Sequence, residues 1–302
     1  MDQVFAPADA IDKKRLKALS ARSDGRGLAQ LVEHAALLGL TGYGVNLALG
    51  TLWLLPAMVA HGVVLIFVFA PLHETIHRTA FRSRWLNDAV AWLCGFLLLL
   101  PPDYFRAFHF AHHRYTQDPA RDPELAVAKP ASLAAYLVIV SGLPYWYRSA
   151  ERTLRHAAGN VTESFIPSRQ RPAIAREARV LLVAYGVVAA ASFAAGSWAA
   201  AVYWLVPALL GQPALRAYLL AEHTLCPLVS DMLKNSRTTH STSALRWLAW
   251  NMPYHTAHHA YPAVPFHALP AAHDLIADRV AVQASGYLAV QRQIIGAASG
   301  SP

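Results

Sequence analysis

The chain has 302 residues, of which 55% are hydrophobic and 15% are charged, and its formal net charge is +8. Soluble proteins usually contain roughly 25% charged residues, so this composition disfavours a soluble globular protein. The positive charge does not indicate a nucleic-acid partner, because its distribution along the chain is that of a membrane protein. Only two cysteines occur, with no CxxC motif, which argues against a disulfide framework and against a cysteine-ligated cluster.

Two long uncharged stretches predict membrane hairpins. No Asp, Glu, Lys or Arg occurs between Glu33 and Glu74, a gap of 40 positions, or between Arg179 and Arg216, a gap of 36 positions. A membrane-spanning helix needs about 20 mostly apolar residues. Each stretch therefore accommodates two spans joined by a tight turn, at Gly50 and at Gly196-Ser197.

The predicted fold class is an all-α integral membrane protein, with two transmembrane helical hairpins (four spans) and a cytosolic helical cap. Between the hairpins, the apolar run Ala89–Pro102 is too short for a span and indicates a re-entrant or interfacial helix. In chain order we predict a cytosolic or interfacial leader (1–33), the first hairpin (34–72), a cytosolic and interfacial segment (73–179), the second hairpin (180–221) and a cytosolic C-terminal part (222–302).

This topology also predicts which side of the membrane carries the charge. With two complete hairpins, every Lys and Arg lies on the same side as both termini, and the positive-inside rule assigns that side to the cytoplasm. The predicted location is therefore a multi-pass protein of the bacterial inner membrane or its equivalent.

The first candidate metal site is the stretch PLHETIH, residues 71–77. His73 and His77 stand four residues apart, so on a helix they share one face and can bind one metal ion. With Glu74 they form the H-E-x-x-H pattern of zinc proteases, in which Glu74 would be the general base. A membrane zinc protease is thus one interpretation of this motif.

Further histidines make a larger metal centre the stronger interpretation. HFAHH (109–113) and HTAHH (255–259) each place three histidines on one helical face, and His223 follows the second hairpin. A protease site would leave seven of these nine histidines without a role, whereas nine imidazoles suffice for two metal ions. We expect the other histidines to be structural: His34, His61, His156, His240, His267 and His273.

The three motifs HxxxH, HxxHH and HxxHH, in this order and between two hydrophobic pairs, resemble the integral-membrane fatty acid desaturase superfamily, with its related hydroxylases and ketolases. The motifs span roughly residues 70–270. The resemblance implies a cytosolic non-haem centre of two iron ions, held almost wholly by histidine, which activates O2. It implies as iron ligands His73, His77, His109, His112, His113, His255, His258 and His259, with His223 as the additional histidine found in many members.

One departure from the family concerns the position one turn before His223. Acyl-CoA desaturases have an asparagine there that holds a metal-bound water, and this chain has Leu219. That contact is therefore absent or supplied by another residue, such as Glu222 or Asn251. Ligand histidines usually donate their second N–H to a carboxylate or carbonyl, and we predict Asp118 and Asp122 for this role.

The leading functional prediction is an O2-dependent desaturase of acyl lipids, which inserts a C=C bond by successive hydrogen abstraction at the diiron centre, with no separate protein acid or base assigned. The same centre could make the chain a hydroxylase or ketolase of a lipid or small apolar metabolite. A metal transporter is disfavoured because the clustered histidines lie beyond the ends of the predicted spans. Since no haem, flavin or ferredoxin segment is visible, we expect an external electron donor of ferredoxin or rubredoxin type with its reductase.

Overall fold

The computed structural model describes residues 10–300, so residues 1–9 of the predicted leader lie outside the described part. This part is mostly helical. One short parallel pair of strands, β1 (Thr238–Thr239) and β2 (Gln283–Ala284), departs from the all-α prediction. The helices are α1 (Lys13–Leu19), α2 (Asp24–Ala48), α3 (Leu54–Ile66), α4 (Phe69–His77), α5 (Arg84–Leu98), α6 (Pro102–Tyr115), α7 (Leu133–Val140), α8 (Leu143–Ala157), α9 (Arg171–Ala194), α10 (Val206–His223), α11 (Ser243–Leu248), α12 (His255–Ala260), α13 (Leu269–Asp274) and α14 (Tyr287–Ala298).

Helices α2 and α3 form the first helical hairpin. Gly50 lies in the turn between them with φ +72°, a left-handed conformation that favours glycine. The sequence predicts that the first hairpin begins at residue 34, whereas helix α2 begins ten residues earlier, at Asp24. The Ser23 hydroxyl caps this start, because it accepts a hydrogen bond from Arg26 N. Inside this hairpin both ring nitrogens of His61 have partners, Thr41 Oγ1 at 2.9 Å and Tyr203 O at 3.0 Å, which fits a structural role.

Helix α4 continues the direction of α3 and carries the first histidine motif at its end. Residues 54–77 together form one apolar helical stretch of 24 residues. The stretch ends where Arg78 takes a left-handed conformation, φ 59°. The motif therefore lies at the last turn of a long apolar helix.

Helices α5 and α6 meet at a bend of 95°, and α6 carries the second histidine motif. The bend separates an apolar helix from one with a charged and histidine-rich face. Glu177 of α9 fixes the start of α6, because its carboxylate accepts hydrogen bonds from Asp103 N at 3.0 Å and Tyr104 N at 3.4 Å. The first N–H groups of a helix have no partner within the helix, so this carboxylate caps α6 from a neighbouring element.

Helices α9 and α10 are joined by the turn of the predicted second hairpin, but α9 packs mainly on α8 and α10 on α3. The turn contains Gly196 with φ +57°, and a π-helical stretch, Ala201–Leu205, leads into α10. Helix α10 packs along α3, and the two backbones approach most closely at Gly62 and Gly211. A Cβ atom at Gly62 would overlap the Pro207 carbonyl oxygen, and one at Gly211 would overlap the Gly62 carbonyl oxygen.

Two helical stretches of the described residues are long and apolar enough to cross a membrane. These are residues 54–77 and 168–194, and the bent pair α5 and α6 is a third if it counts as one span. Helices α2 and α10, the other helices of the two hairpins, are not among the stretches that are both long and apolar enough. By length and composition, one helix of each predicted hairpin thus qualifies as a membrane span.

The chain after α10 folds back onto the end of that helix. The buried guanidinium of Arg237 donates hydrogen bonds to the carbonyl oxygens of Ala221 and Thr224. Ala221 lies in the last turn of α10 and Thr224 is its C-cap residue, so both carbonyls are at a helix end where helical partners are missing. The contact anchors the C-terminal part beside His223 and so brings α12, with the third histidine motif, to the same end of the molecule.

The contact between Gly62 and Gly211 predicts a sharp difference between two glycines. Gly211→Ala should destabilise the fold by about 1–3 kcal/mol, because the added methyl group meets rigid backbone of α3. Gly186→Ala is the matched control, since Gly186 is also helical and has open space around its Cβ position. Thermal denaturation of the purified variants measures the difference. Equal denaturation temperatures for the two variants would contradict this close contact.

Candidate metal centre

Five of the predicted histidines come together in a first histidine group. One ring nitrogen of each lies within 4.8 Å of the corresponding nitrogen of every other, and four of the five side chains are buried. Two come from the end of α4, two from α6 and one from α12. The members are His73, His77, His109, His113 and His258.

The other four form a second histidine group. Ring nitrogens of His112, His223 and His259 lie within 4.8 Å of one another. His255 Nε2 joins them at 2.9 Å from His223 Nε2. The structure thus brings all nine histidines predicted as ligands into two adjoining groups.

The distances between ring nitrogens suit shared metal ions. In the first group, His113 Nε2 lies 2.9 Å from His109 Nε2 and 3.1 Å from His258 Nε2. In the second, His112 Nε2 lies 3.2 Å from His223 Nε2. Two nitrogens that each lie about 2.1 Å from one ion are separated by about 3.0–3.4 Å in octahedral or tetrahedral geometry. These three distances are therefore close to those between donor atoms on one ion.

Burial keeps these imidazoles in the form that binds a metal. It lowers the pKa of His255, His258 and His259 well below the ordinary value, and neighbouring histidines lower it further. These three rings are neutral at pH 7, so each has a free lone pair. Burial also acts to lower the pKa of His112, but Glu124 and Asp122 outweigh this effect and raise that pKa. The buried His259 Nε2 has no hydrogen-bond partner in the described residues, as expected for a metal ligand.

A buried carboxylate orients the second group. His112 Nδ1 donates a hydrogen bond to Asp122 Oδ1 at 3.0 Å, which leaves Nε2 directed at the other histidines. The second carboxylate oxygen accepts from Gln117 N at 2.8 Å, so the side chain of Asp122 is held in place. This is the arrangement in which a second N–H of a ligand histidine meets a carboxylate.

Of the other residues predicted to support the metal site, one lies beside one of the nine histidines and two do not. Glu222 Oε1 lies 3.4 Å from His255 Nδ1. Asp118 instead pairs with Arg121 at 2.7 Å and accepts from Ala120 N. Asn251 donates to Phe266 O at 3.2 Å, and none of its described hydrogen bonds involves a histidine. Asp122 and Glu222 thus lie at the second group, whereas Asp118 and Asn251 have other partners.

Two residues at the second group were not among the predicted ones. Asn235 O accepts a hydrogen bond from His223 Nδ1 at 3.1 Å, but a backbone carbonyl gives no sequence signal. Glu124 Oε2 lies 3.4 Å from His112 Nε2, and Glu124 Oε1 binds Lys129 Nζ at 2.7 Å. Burial opposes ionisation of Glu124, but Lys129 and His112 hold its pKa well below the ordinary value. The signal that was available is its place two residues after Asp122, since both acids follow the second histidine motif.

Glu74 is turned away from both histidine groups. Its Oε2 accepts hydrogen bonds from Thr79 Oγ1 at 2.7 Å and from Phe266 N at 3.3 Å. A general base of a zinc protease must instead reach a water on the metal. The position of Glu74 therefore supports a role in joining α4 to the short 3-10 helix Phe266–Ala268.

The six histidines expected to be structural lie outside both groups in the described part of the chain. His34 and His61 contact backbone carbonyls within the helical hairpins. His156 lies 2.8 Å from Glu163, and His267 lies 3.1 Å from Arg26. His240 and His273 lie together, with ring centroids 5.7 Å apart.

A cavity of about 670 Å³ opens onto both histidine groups. His73 and His109 of the first group and His112 and His255 of the second line its wall. Apolar side chains, among them Phe69, Phe105 and Leu219, line another part. A cavity of this size and polarity suits an apolar chain with a reacting segment held beside the histidines.

Comparison with known proteins gives one family. The model of the family described as "Fatty acid desaturase" matches residues 50–290, which is most of the chain. The sn-1 oleoyl-lipid 12-desaturase of Picosynechococcus sp. is 28% identical over 57% of this chain and 51% of its own length. The sphingolipid delta(4)-desaturase DES1 of Drosophila melanogaster is 24% identical over 72% of this chain and 64% of its own length. The sphingolipid delta(4)-desaturase/C4-monooxygenase DES2 of Rattus norvegicus is 27% identical over 66% of this chain and 58% of its own length. The chain thus spans between about half and two thirds of the length of these relatives.

The two aspartates after the second motif give a test of how the second group is oriented. Asp122→Asn should weaken metal retention about 10- to 100-fold, because His112 loses the carboxylate that fixes its ring. Asp118→Asn is the matched control, four residues away and bonded to Arg121, and should retain metal like the wild type. Metal content after graded exposure to a chelator measures the effect. Equal losses in both variants would contradict the assigned role of Asp122.

Proposed function

The chain belongs to the fatty acid desaturase family, and on that premise we propose that it is an O2-dependent membrane oxidoreductase that desaturates the acyl chain of a lipid. The observation that carries this proposal is the convergence of nine histidines into two adjoining groups beside an apolar cavity. Imidazole is a suitable ligand for iron. Two bound irons would supply the redox chemistry that O2 activation requires.

The proposed ligands follow the two groups. The first histidine group would bind one iron through five imidazoles, and the second would bind the other through four imidazoles and the carboxylate of Glu124. Glu124 then takes the place left open by Leu219, where some members of the superfamily have asparagine. Asp122 holds the ring of His112, and no side chain is assigned as a separate acid or base.

We further propose the four-span topology, with the histidines and both termini in the cytoplasm. The two helical hairpins support it, because the first motif and His223 occur at the last turns of α4 and α10. The long uncharged stretches around the turns at Gly50 and Gly196 support it as well. Residues 1–33, 73–179 and 222–302 would then lie on the cytosolic side, with the hairpins 34–72 and 180–221 in the bilayer.

The cavity gives the residues their roles in the reaction. Phe69, Phe105 and Leu219 would hold a saturated segment of the chain by apolar contact and exclude water from it. His73, His109 and His255 line the same cavity, so that segment would lie against the metal-binding face. Removal of two hydrogens from neighbouring carbons gives the double bond, and placement of the chain selects the carbons.

A hydroxylase or ketolase is the second candidate, acting on a lipid or small apolar metabolite. It is favoured by the relative whose name joins a desaturase to a C4-monooxygenase. The histidines would be the same in either case, and the fit of the substrate would decide the outcome. A zinc protease is the third candidate, and the position of Glu74 argues against it.

Electrons would come from a separate protein of ferredoxin or rubredoxin type with its reductase. The basic residues of the proposed cytosolic side offer charge complementarity to an acidic partner of this kind. A nucleic-acid partner is not proposed, because membrane topology explains the positive charge.

Metal content separates the oxidoreductase from the protease. Wild-type protein from iron-supplemented cells should contain about two metal ions per chain, and His258→Ala should lose at least one of them. Glu74→Gln should retain both ions and the formation of unsaturated lipid in the host cell, measured by mass spectrometry. One zinc ion per chain in the wild type, with the same content in His258→Ala, would contradict the two-metal proposal. Two zinc ions would support a two-metal site, since zinc binds nitrogen ligands more tightly than ferrous iron.

Glu124 gives a separate test of the second metal site. Glu124→Gln should reduce retention of one of the two ions about 10-fold or more, because a neutral amide is a poorer ligand than a carboxylate. Glu151→Gln is the control, since Glu151 is exposed and pairs only with Arg155 among the described residues. Chelator titration followed by metal analysis, together with the Mössbauer spectrum of the iron-57 protein, reports the effect. Unchanged retention and an unchanged spectrum would remove Glu124 from the ligand set.

A further inference from the structure

Four arginines line the cavity that opens onto the histidine groups, among them Arg152 and Arg216, whose guanidinium groups lie over aromatic rings. Arg152 lies on α8 and Arg216 on α10. Neither forms an ion pair with a carboxylate of the described residues, although an arginine in a protein is always charged. Arg152 and Arg216 therefore bring positive charge to the cavity wall without an ion-pair partner among the described residues.

Each of these guanidinium groups is supported by an aromatic ring. The Arg216 guanidinium lies 4.4 Å from the centroid of Tyr145, and the Arg152 guanidinium lies 4.2 Å from the centroid of Tyr104. The hydroxyl of Tyr145 donates to Leu98 O at 2.7 Å, which fixes that ring. A stacked guanidinium uses its face for the ring and keeps its N–H edge for a planar or tetrahedral anion.

The N–H edges are only partly used. Arg152 Nη2 donates to Ser149 Oγ at 3.0 Å. The Nε atoms of both Arg152 and Arg216 are buried and have no hydrogen-bond partner in the described residues. Buried donors are normally paired, so an unpaired N–H on a charged group in a cavity wall indicates a ligand.

The carboxylates on the same cavity wall have partners of their own. Glu124 binds Lys129 at 2.7 Å, and Glu163 binds Arg155 at 2.6 Å. Asp122 accepts from His112, and Glu222 lies beside His255. Among the described residues none of these acids forms an ion pair with Arg152 or Arg216, so the two guanidinium groups remain available to an anion from outside the chain.

We propose that Arg152 and Arg216 bind the anionic head group of the acyl substrate, a phosphate or a carboxylate. This assignment rests on the proposed function and adds to it a class of substrate, an acyl compound with a negatively charged end. The two arginines are positioning residues: they fix the charged end, and the apolar wall receives the chain. Arg216 precedes His223 by seven residues on α10, about 10 Å along the helix axis, which leaves room for alkyl carbons between the anion and the histidines.

The test measures head-group selectivity in the absence of turnover. Octyl phosphate and octanol are titrated calorimetrically into the full-length protein in nanodiscs of phosphatidylcholine, with empty nanodiscs subtracted. The wild type should bind octyl phosphate at least about tenfold more tightly than octanol. Arg152→Gln and Arg216→Gln should each lose about tenfold in octyl phosphate affinity and leave octanol affinity unchanged. Arg176→Gln, an exposed arginine of α9 outside the cavity, is the control and should match the wild type.

Several outcomes would overturn the assignment. Equal affinity of the wild type for octyl phosphate and octanol would overturn it. Equal losses of affinity for both ligands in the arginine variants would also overturn it, because they would indicate a merely structural role of the arginines. Complete displacement of octyl phosphate by an equal concentration of inorganic phosphate would indicate a free anion site rather than an acyl substrate. Arg216→Lys guards against misfolding, since it keeps the charge and should show an intermediate loss.

The source of the anion is identified by a third ligand. A preference for octyl phosphate over octanoate would support a phosphate-containing acyl lipid or carrier, and the reverse would support a free fatty acid. Because binding is measured on the metal-loaded protein without O2 or an electron donor, no turnover occurs and loss of selectivity overturns this assignment alone. A wild type without a metal pair would instead overturn the proposed function.

Discussion

Nine imidazoles crowded into a buried volume impose the central constraint on this protein. Burial favours their neutral form, and their ring nitrogens lie as little as 2.9 Å apart. Buried polar groups without partners are unfavourable, and several of these nitrogens have no partner within the described chain. His259 Nε2 is one of them, and a bound metal ion would satisfy it, so under the proposed function this end of the fold would depend on metal binding.

The nine histidines lie on helices α4, α6, α10 and α12, and contacts elsewhere in the structure hold these four helices together. Glu177 caps α6 from α9, so the second motif is fixed relative to the second hairpin. Close backbone contact at Gly62 and Gly211 fixes α3 against α10, and hence the first motif against His223. Arg237 ties the C-terminal part to the last turn of α10. Each contact involves backbone or a buried polar side chain, and a close-packed interior resists displacement of such groups.

The cavity connects this centre to a substrate class. Its apolar wall and its histidines are suited to the oxidation of an alkyl segment, while its arginines are suited to a charged end. If the arginines bind the head group, the distance from the head group to the proposed metal site would select the carbon that reacts. On this basis the position of attack would depend on the head-group contact as much as on the metal ligands.

The sequence alone determined the helical class, the hairpin turns at Gly50 and Gly196, and the nine histidines that the structure brings together, because these follow from local spacing and from the need of a turn for a left-handed residue. It did not separate Asp118 from Asp122, since both follow the second motif in the same loop and only tertiary contacts decide which one meets a histidine. The division of the histidines into five and four, the approach of Glu124 and the exposure of Arg152 and Arg216 to the cavity were likewise decided by the tertiary structure. These features join residues as far apart as 73 and 258 in the chain, and periodicity carries no information about contacts at such separations.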